Sequence, residues 1–221
     1  MGTRSVITLQ QFLAIVLGLS VTATAAAQMP GTPTLQNAFA NPGITAAVDV
    51  AGLGGASSYA AAAAWSPGNA RFQLSGGVGI QTRSGATNRT VYGARVNFPI
   101  LGATTNFGVS AFAGYGGISG ATDSTDFKSL IPIGATASYR MPIGTAHGVS
   151  VYGSPIYELV GRGGTAKTVS VFRAALGVDI GITRAIGATV GVELGKKEPA
   201  GTGRPSGTGF AAAVSYALGA R

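Results

Sequence analysis

The residues of this chain that could carry out chemistry are few and scattered. Its 221 residues include a single histidine, His147, and no cysteine. A transition-metal site would lack its usual ligands, and a serine–histidine pair would have no neighbouring carboxylate. We therefore predict no metal, no cofactor and no catalytic residue, and we place His147 in a solvated turn. The protein is predicted not to be an enzyme.

The charged residues that remain fall on one parity of an alternating pattern. In Arg71–Arg95, Phe72, Leu74, Val78 and Ile80 share one face, while the arginines share the other face with Gly, Ser and Gln. Strict alternation of this kind is typical of β-strands with one apolar face. The segment 84–88 supplies the turn of a hairpin.

The same alternation recurs to the end of the chain. It predicts an all-β fold, an antiparallel up-and-down transmembrane β-barrel of about ten strands, with eight as the alternative. The predicted strands run over residues 44–51, 59–65, 71–83, 92–98, 107–115, 131–140, 149–158, 173–182, 186–194 and 210–218. Pro132 and Pro155 interrupt this pattern, and we expect a bulge or a strand end at each of them.

The N-terminal segment has the three parts of a secretory signal peptide. Arg4 precedes a short apolar core, and small residues follow at 22–27. The apolar core is shorter than the ~20 residues of a membrane-spanning helix. We expect residues 1–27 to be a cleaved signal peptide, 28–43 an irregular lead-in and 44–221 the barrel.

Alternation alone leaves open which face of the barrel is outside. A soluble periplasmic ligand-binding barrel would have its apolar face inside and a charged coat outside. Only 10% of the residues are charged, against ~25% in ordinary soluble domains, so we expect the apolar face to meet lipid. Aromatic residues near the strand ends predict two girdles, one of Trp65, Phe72, Phe98, Phe107 and Tyr139 and the other of Tyr59, Tyr92, Tyr115 and Tyr157.

The polar face then lines the lumen and carries a charge network. Its predicted members are Asp49, Arg71, Arg83, Arg95, Arg140, Glu158, Arg173, Asp179 and Glu193. Charges inside a barrel must pair or be hydrated. Two interpretations stay open: a salt-bridge network that plugs a narrow lumen, which we favour, and a small arginine-lined channel with a weak anion preference.

The pattern over Ile44–Leu218 resembles the small outer-membrane β-barrels of Gram-negative-type bacteria, the OmpA-like transmembrane barrels in the broad sense. The resemblance implies location in the outer membrane, contact with its lipid and lipopolysaccharide, and recognition by the barrel-assembly machinery. The last strand ends in Tyr216-Ala-Leu218 where such families usually end in Phe. The expected role is structural or surface-interacting, in a monomer.

The net charge of +8 raises the question of nucleic acid as a partner. A nucleic-acid-binding surface needs clustered basic residues, and here they are dispersed along strands and loops. We therefore expect no nucleic-acid partner. The basic residues predicted in outer loops are candidates for lipopolysaccharide phosphates: Arg89, Lys128, Arg162, Lys167, Lys196, Lys197 and Arg204.

Overall fold

The chain forms a closed antiparallel barrel of ten strands in a computed structural model. The structure describes residues 43–53, 56–69, 71–83, 87–102, 105–120, 127–143, 147–162, 168–195 and 208–218. The strands are β1 Gly43–Leu53, β2 Ala56–Ser66, β3 Gln73–Arg83, β4 Arg89–Leu101, β5 Phe107–Ile118, β6 Phe127–Ile143, β7 His147–Arg162, β8 Val169–Gly181, β9 Ile186–Gly195 and β10 Gly209–Leu218. Among the described residues, no helix is long and apolar enough to cross a membrane.

Each strand pairs with its neighbours in sequence, and β10 closes the barrel against β1. The up-and-down topology and the count of ten are confirmed, including the alanine-rich β2, which pairs along its length with β1. The predicted signal peptide and nearly all of the lead-in lie outside the described residues.

The register of the pairs fixes the shape of the barrel. Following the pairs once around from Ser129 on β6 leads back to Met141 on the same strand, a shift of 12 residues. For ten strands spaced about 4.8 Å apart, this shift gives a strand tilt of about 40°. A barrel of this size is narrow enough for large side chains from its wall to fill much of the interior.

Several strands are longer than their alternation predicts, and some of them continue through a proline. Pro99 lies within β4, and the register shifts beside it, between Pro99 and Leu101. At Pro132 and Pro155 the expectation of bulges or strand ends is wrong. Two consecutive pairs are missing at each proline, those of Ile131 and Pro132 with β5 and those of Ser154 and Pro155 with β6. The same register resumes after each gap. A proline removes one ladder donor, and here the strand runs on past the gap.

The two ends of the barrel differ in the length of their connections. The short-turn end holds the connections after β2, β4, β6 and β8, and the long-loop end holds those after β1, β3, β5, β7 and β9. The longest connection, residues 196–208, is at the long-loop end, whereas β1 and β2 are separated there by residues 54–55 alone. The turn predicted at 52–57 is therefore shorter than expected.

Candidate functional site

The alternation divides each strand into an outer and an inner face. On β1, Val48 is 62% exposed while its neighbours Ala47 and Asp49 are 6% and 7% exposed. In the described part of the chain, 28 large apolar side chains are more than a third exposed, and they occur on all ten strands. The apolar face is therefore outside, which is the opposite of what a soluble ligand-carrying barrel requires.

The aromatic residues predicted as girdles lie near the two ends of this outer face. Tyr59, Tyr92, Tyr115 and Tyr157 lie toward the long-loop end, with the rings of Tyr92 and Tyr115 6.5 Å apart. Trp65, Phe98, Phe107 and Tyr139 lie toward the short-turn end and are equally exposed. Phe72 precedes β3, is half-buried and packs edge-on against Trp65. Two exposed aromatics extend the bands beyond the predicted set, Phe172 toward the long-loop end and Tyr216 toward the short-turn end.

The inner face places the nine predicted charge-network residues in several different environments. Arg95, Glu158, Arg173 and Glu193 are buried in the lumen, and Asp49 is buried on β1. Arg140 and Asp179 line a cavity at the short-turn end. Arg71 and Arg83 are exposed at the strand ends, so they lie outside the network that the sequence predicts.

Arg173 and Glu193 form an enclosed ion pair on neighbouring strands. The Arg173 Nε donates to Glu193 Oε1, and the two side chains are 0% and 5% exposed. Glu158, 2% exposed, lies on β7 beside this pair, diagonal to Arg173 across the β7–β8 ladder. Arg173 also lies over Gly195, where a Cβ would meet its guanidinium at 2.7 Å. The glycine makes room for a buried arginine.

A second group of side chains fills the middle of the lumen around Arg95. Its guanidinium lies 3.6 Å from the centroid of the Phe112 ring, and its Nε donates to Asn97 Oδ1 at 2.8 Å. Asn97 in turn donates to Gln73 Oε1 at 3.2 Å. Phe112 packs with Ile156 and Ala175. This relay joins the centre of the lumen to the cavity at the short-turn end, because Gln73 also lines that cavity.

Tyr152 lies along the inner wall of the barrel, over two glycines of the neighbouring strands. Its ring lies against Gly177 on β8, and a Cβ at Gly191 on β9 would be 2.8 Å from its hydroxyl. Gly177 pairs with both Tyr152 and Gly191, so the Tyr152 side chain lies along the row of paired residues that these three form. Tyr152 also interacts electrostatically with Arg95 and Asp179.

An apolar cluster lies in the lumen near the long-loop end. It consists of one residue from each of five consecutive strands, Val91, Ile118, Leu130, Val160 and Val171, each at most 7% exposed. The alternation in the sequence does not predict this cluster. All five residues lie beyond the predicted limits of their strands. Four of them, all except Ile118, stand beside an outward apolar residue, so that alternation is lost there.

The opposite wall, formed by β10, β1 and β2, carries small inward side chains. Ala47, Ala62, Ala64, Ala211 and Ala213 are each at most 9% exposed. These small side chains leave room in the lumen for the long buried side chains of Arg95, Tyr152 and Arg173 on the other strands. The lumen is therefore filled from one side.

The lumen opens into a cavity of about 320 Å³ at the short-turn end, which we call the vestibule. Its polar lining comes from seven strands and the β8–β9 turn: Thr45, Gln73, Arg140, Ser150, Asp179, Thr183, Arg184, Thr189 and Ser215. Thr189 Oγ1 donates to Asp179 Oδ1 at 2.5 Å, and Arg140 interacts electrostatically with Asp179.

Among the described residues, no group of three or more His, Cys, Asp or Glu side chains could hold a metal ion. His147 begins β7 opposite Ile143 rather than lying in the turn, and its side chain is outside the described part of the structure. Of the basic residues predicted in outer loops, Lys128 is exposed, Arg89 and Arg162 are half-buried at strand ends, and 167, 196, 197 and 204 lie outside the described residues.

The packing of Tyr152 on Gly177 predicts a measurable cost for a single methyl group. Gly177→Ala should lower the free energy of unfolding by about 1–3 kcal/mol, because the new Cβ would overlap the Tyr152 ring. Urea titration of the folded barrel in lipid vesicles measures this.

Gly148→Ala is the matched control, since its Cβ would meet only Met141 O, at 3.7 Å. A double-mutant cycle with Tyr152→Ala should show that the Gly177→Ala cost depends on the ring. An equal cost with and without the ring would contradict this packing.

Comparison with known proteins identifies no family. No protein-family model and no curated protein sequence matches this chain. Among solved structures, LpxR from Salmonella typhimurium is 9% identical, with 85% of this chain and 86% of that chain covered at a TM-score of 0.47. The translocator domain of the autotransporter NalP from Neisseria meningitidis is 13% identical, with 95% of each chain covered at a TM-score of 0.44.

Proposed function

We propose that this chain is a non-catalytic barrel of the bacterial outer membrane, with a structural or surface-interaction role and a lumen closed to the passage of solutes. The observation that carries the proposal is the inverted distribution of side chains. Large apolar residues are exposed around the whole outer wall, while Arg95, Arg173, Glu158 and Glu193 are buried inside. Exposed apolar surface on this scale needs lipid or a partner to cover it.

The dimensions of the apolar wall support placement in a bilayer. On β9 the outward apolar residues run from Ile186 to Leu194, and on β7 from Val149 to Leu159. At a tilt of about 40°, these runs rise about 20–25 Å along the barrel axis, close to the ~25 Å apolar band of outer-membrane barrels. The bands of tyrosine and other aromatics at either end suit the two interfaces of that membrane.

The closed lumen is supported by two layers of buried side chains in series. The apolar cluster lies near the long-loop end, and the layer around Arg95, Phe112 and Tyr152 lies in the middle. A barrel of this strand number is closer to the filled eight-stranded type than to porins with sixteen strands.

The partners that follow are those of an outer-membrane barrel. We propose a monomer in contact with outer-membrane lipid and lipopolysaccharide, inserted by the barrel-assembly machinery, in the OmpA-like manner. Lys128, exposed at the long-loop end of β6, and Arg89 at the start of β4 are placed to meet phosphates of the outer leaflet.

Fractionation of cells that express the full chain tests the placement. The protein should sediment with outer membranes and remain there after washing with high salt, because apolar burial rather than charge holds it. Recovery in the soluble periplasmic fraction as a folded protein would contradict the proposal.

A narrow channel is the second candidate, and the vestibule favours it, because the lumen is already open at one end. Planar bilayer recordings separate the two. We expect the folded barrel to give no discrete conductance steps. Steps whose ion preference changes in Arg95→Ala or Arg140→Ala would establish the channel instead. Circular dichroism of the same preparation shows that a silent bilayer contains folded protein.

A further inference from the structure

The vestibule carries opposite charges on one row of paired residues. Arg140 on β6 pairs with Ser150 on β7, Ser150 with Asp179 on β8, and Asp179 with Thr189 on β9. All four residues line the cavity. Two strand spacings separate Arg140 from Asp179, about 10 Å between their backbones. A cation and an anion therefore face the same cavity from opposite sides of Ser150.

Ser150 lies between these charges with its hydrogen-bonding capacity unmet. Its side chain is 5% exposed, and Oγ has no hydrogen-bond partner among the described residues. Its neighbours on the row are held differently, since Asp179 accepts a hydrogen bond from Thr189. A buried hydroxyl without a partner costs free energy, which a ligand group placed beside it would recover.

We propose that the vestibule binds a small zwitterion of the short-peptide class. The ligand carboxylate meets Arg140, its ammonium group meets Asp179, and an amide between them bonds the Ser150 hydroxyl. A dipeptide extends about 7 Å, and the long arginine side chain spans the remaining distance. A cavity of about 320 Å³ is at the small end of the range for ligand sites.

The charges of the vestibule select against ligands of one sign. Arg184, exposed on the β8–β9 turn, adds a second cation to the mouth, so a purely cationic ligand meets two arginines. A purely anionic ligand is attracted by the two arginines, but it is repelled by Asp179 and gives that carboxylate no new partner. Only a molecule with both charges replaces the attraction between Arg140 and Asp179 with two of its own.

The inference rests on the proposed function only for the source of the ligand. If the barrel lies in the outer membrane with its short turns facing the periplasm, the ligand comes from the periplasm. Binding itself can be measured on the folded barrel in detergent, without placing the protein in a membrane. A failure of outer-membrane placement in cell fractionation is therefore separate from a failure of binding.

Isothermal titration of the full chain in detergent micelles tests the proposal with alanyl-alanine. Its N-acetylated form keeps only the carboxylate, and its C-terminal amide keeps only the ammonium group. We expect alanyl-alanine to bind and each blocked peptide to bind at least about tenfold more weakly, because each loses one charged hydrogen bond. Failure of alanyl-alanine to bind the folded barrel, or equal binding of a blocked peptide, would overturn the proposal.

Variants then assign the two charges. Arg140→Gln should weaken the binding of alanyl-alanine about tenfold and leave the affinity for its C-terminal amide nearly unchanged. Asp179→Asn should also weaken alanyl-alanine about tenfold, and it should leave the affinity for the N-acetylated form nearly unchanged. Ser150→Ala, which removes only a hydroxyl, should weaken alanyl-alanine about two- to tenfold and keeps the test available if a charge variant does not fold. Arg71→Gln is the control, exposed at the same end outside the vestibule lining. Unchanged affinity in all three vestibule variants would contradict the site.

Discussion

Replacing Arg173 with methionine is expected to lower the free energy of unfolding by about 3–5 kcal/mol, the cost of leaving a buried charge without its partner. Arg173 is 0% exposed and donates to Glu193, which is 5% exposed. Glu158, diagonal to Arg173 on the neighbouring strand, is 2% exposed. The substitution leaves two enclosed carboxylates with one cation fewer. Urea unfolding of the barrel in vesicles, followed by tryptophan fluorescence and by circular dichroism, measures the loss.

Two further variants show whether the loss comes from the charge. Arg173→Met combined with Glu193→Met removes both charges of the pair, and we expect it to recover most of the stability, because a buried ion pair and an apolar pair of similar volume are close in free energy. Arg83→Met, at an exposed strand end, should change stability by less than about 0.5 kcal/mol. A double variant no more stable than Arg173→Met alone would contradict the assignment.

The second large effect concerns the outer wall. Val190 lies at the centre of the outward run of β9, so Val190→Arg should place a charge near the middle of the bilayer and cost about 2–4 kcal/mol. We expect less folded protein in the membrane and a lower midpoint of unfolding in urea. Refolding into vesicles measures both quantities.

Thr189→Arg is the matched substitution on the inner face. Thr189 lines the vestibule beside Asp179, so an arginine there gains a carboxylate partner and reaches open space. Its cost should be clearly smaller than that of Val190→Arg. The opposite order of costs would mean that the faces of β9 are reversed.

The sequence predicts the wall of this barrel well because each strand residue faces one of two environments, the outer surface or the lumen. On β1, Val48 and Asp49 differ in exposure as their parity requires. The limits of strands are harder, because they depend on features with no simple alternation. Pro99 and Pro132 resemble turn residues, yet both lie inside strands whose ladders adjust around them.

The contents of the lumen could be predicted only in part. A charged residue on the polar parity of a strand can be recognised in the sequence as a lumen residue, and Arg95 and Arg173 are buried where the parity places them. The residues of the apolar cluster cannot be recognised in this way, because Leu130 stands beside the outward Ile131 and Val171 beside the outward Phe172. Where both faces are apolar, the period of two disappears. Phe112 shows a signal that was present, a bulky residue on the polar parity of β5, paired with Gly134.

The vestibule depends on the register, which alternation does not contain. Arg140 and Asp179 are 39 residues apart in the chain and meet because β6, β7 and β8 pair in one specific alignment. A slip of two residues would keep every side chain on its face and still separate these charges. No property of either residue alone predicts the cavity that they share.

Labelling of cysteines on β1 tests the central claim most directly, that the exposed apolar face meets lipid and the other face lines the lumen. Val48 is 62% exposed and Ala47 is 6% exposed, and the chain has no cysteine of its own. In barrels inserted into vesicles, a lipid-soluble maleimide should modify Val48→Cys and leave Ala47→Cys largely unmodified until the protein is unfolded. Modification of Ala47→Cys with protection of Val48→Cys would contradict the account.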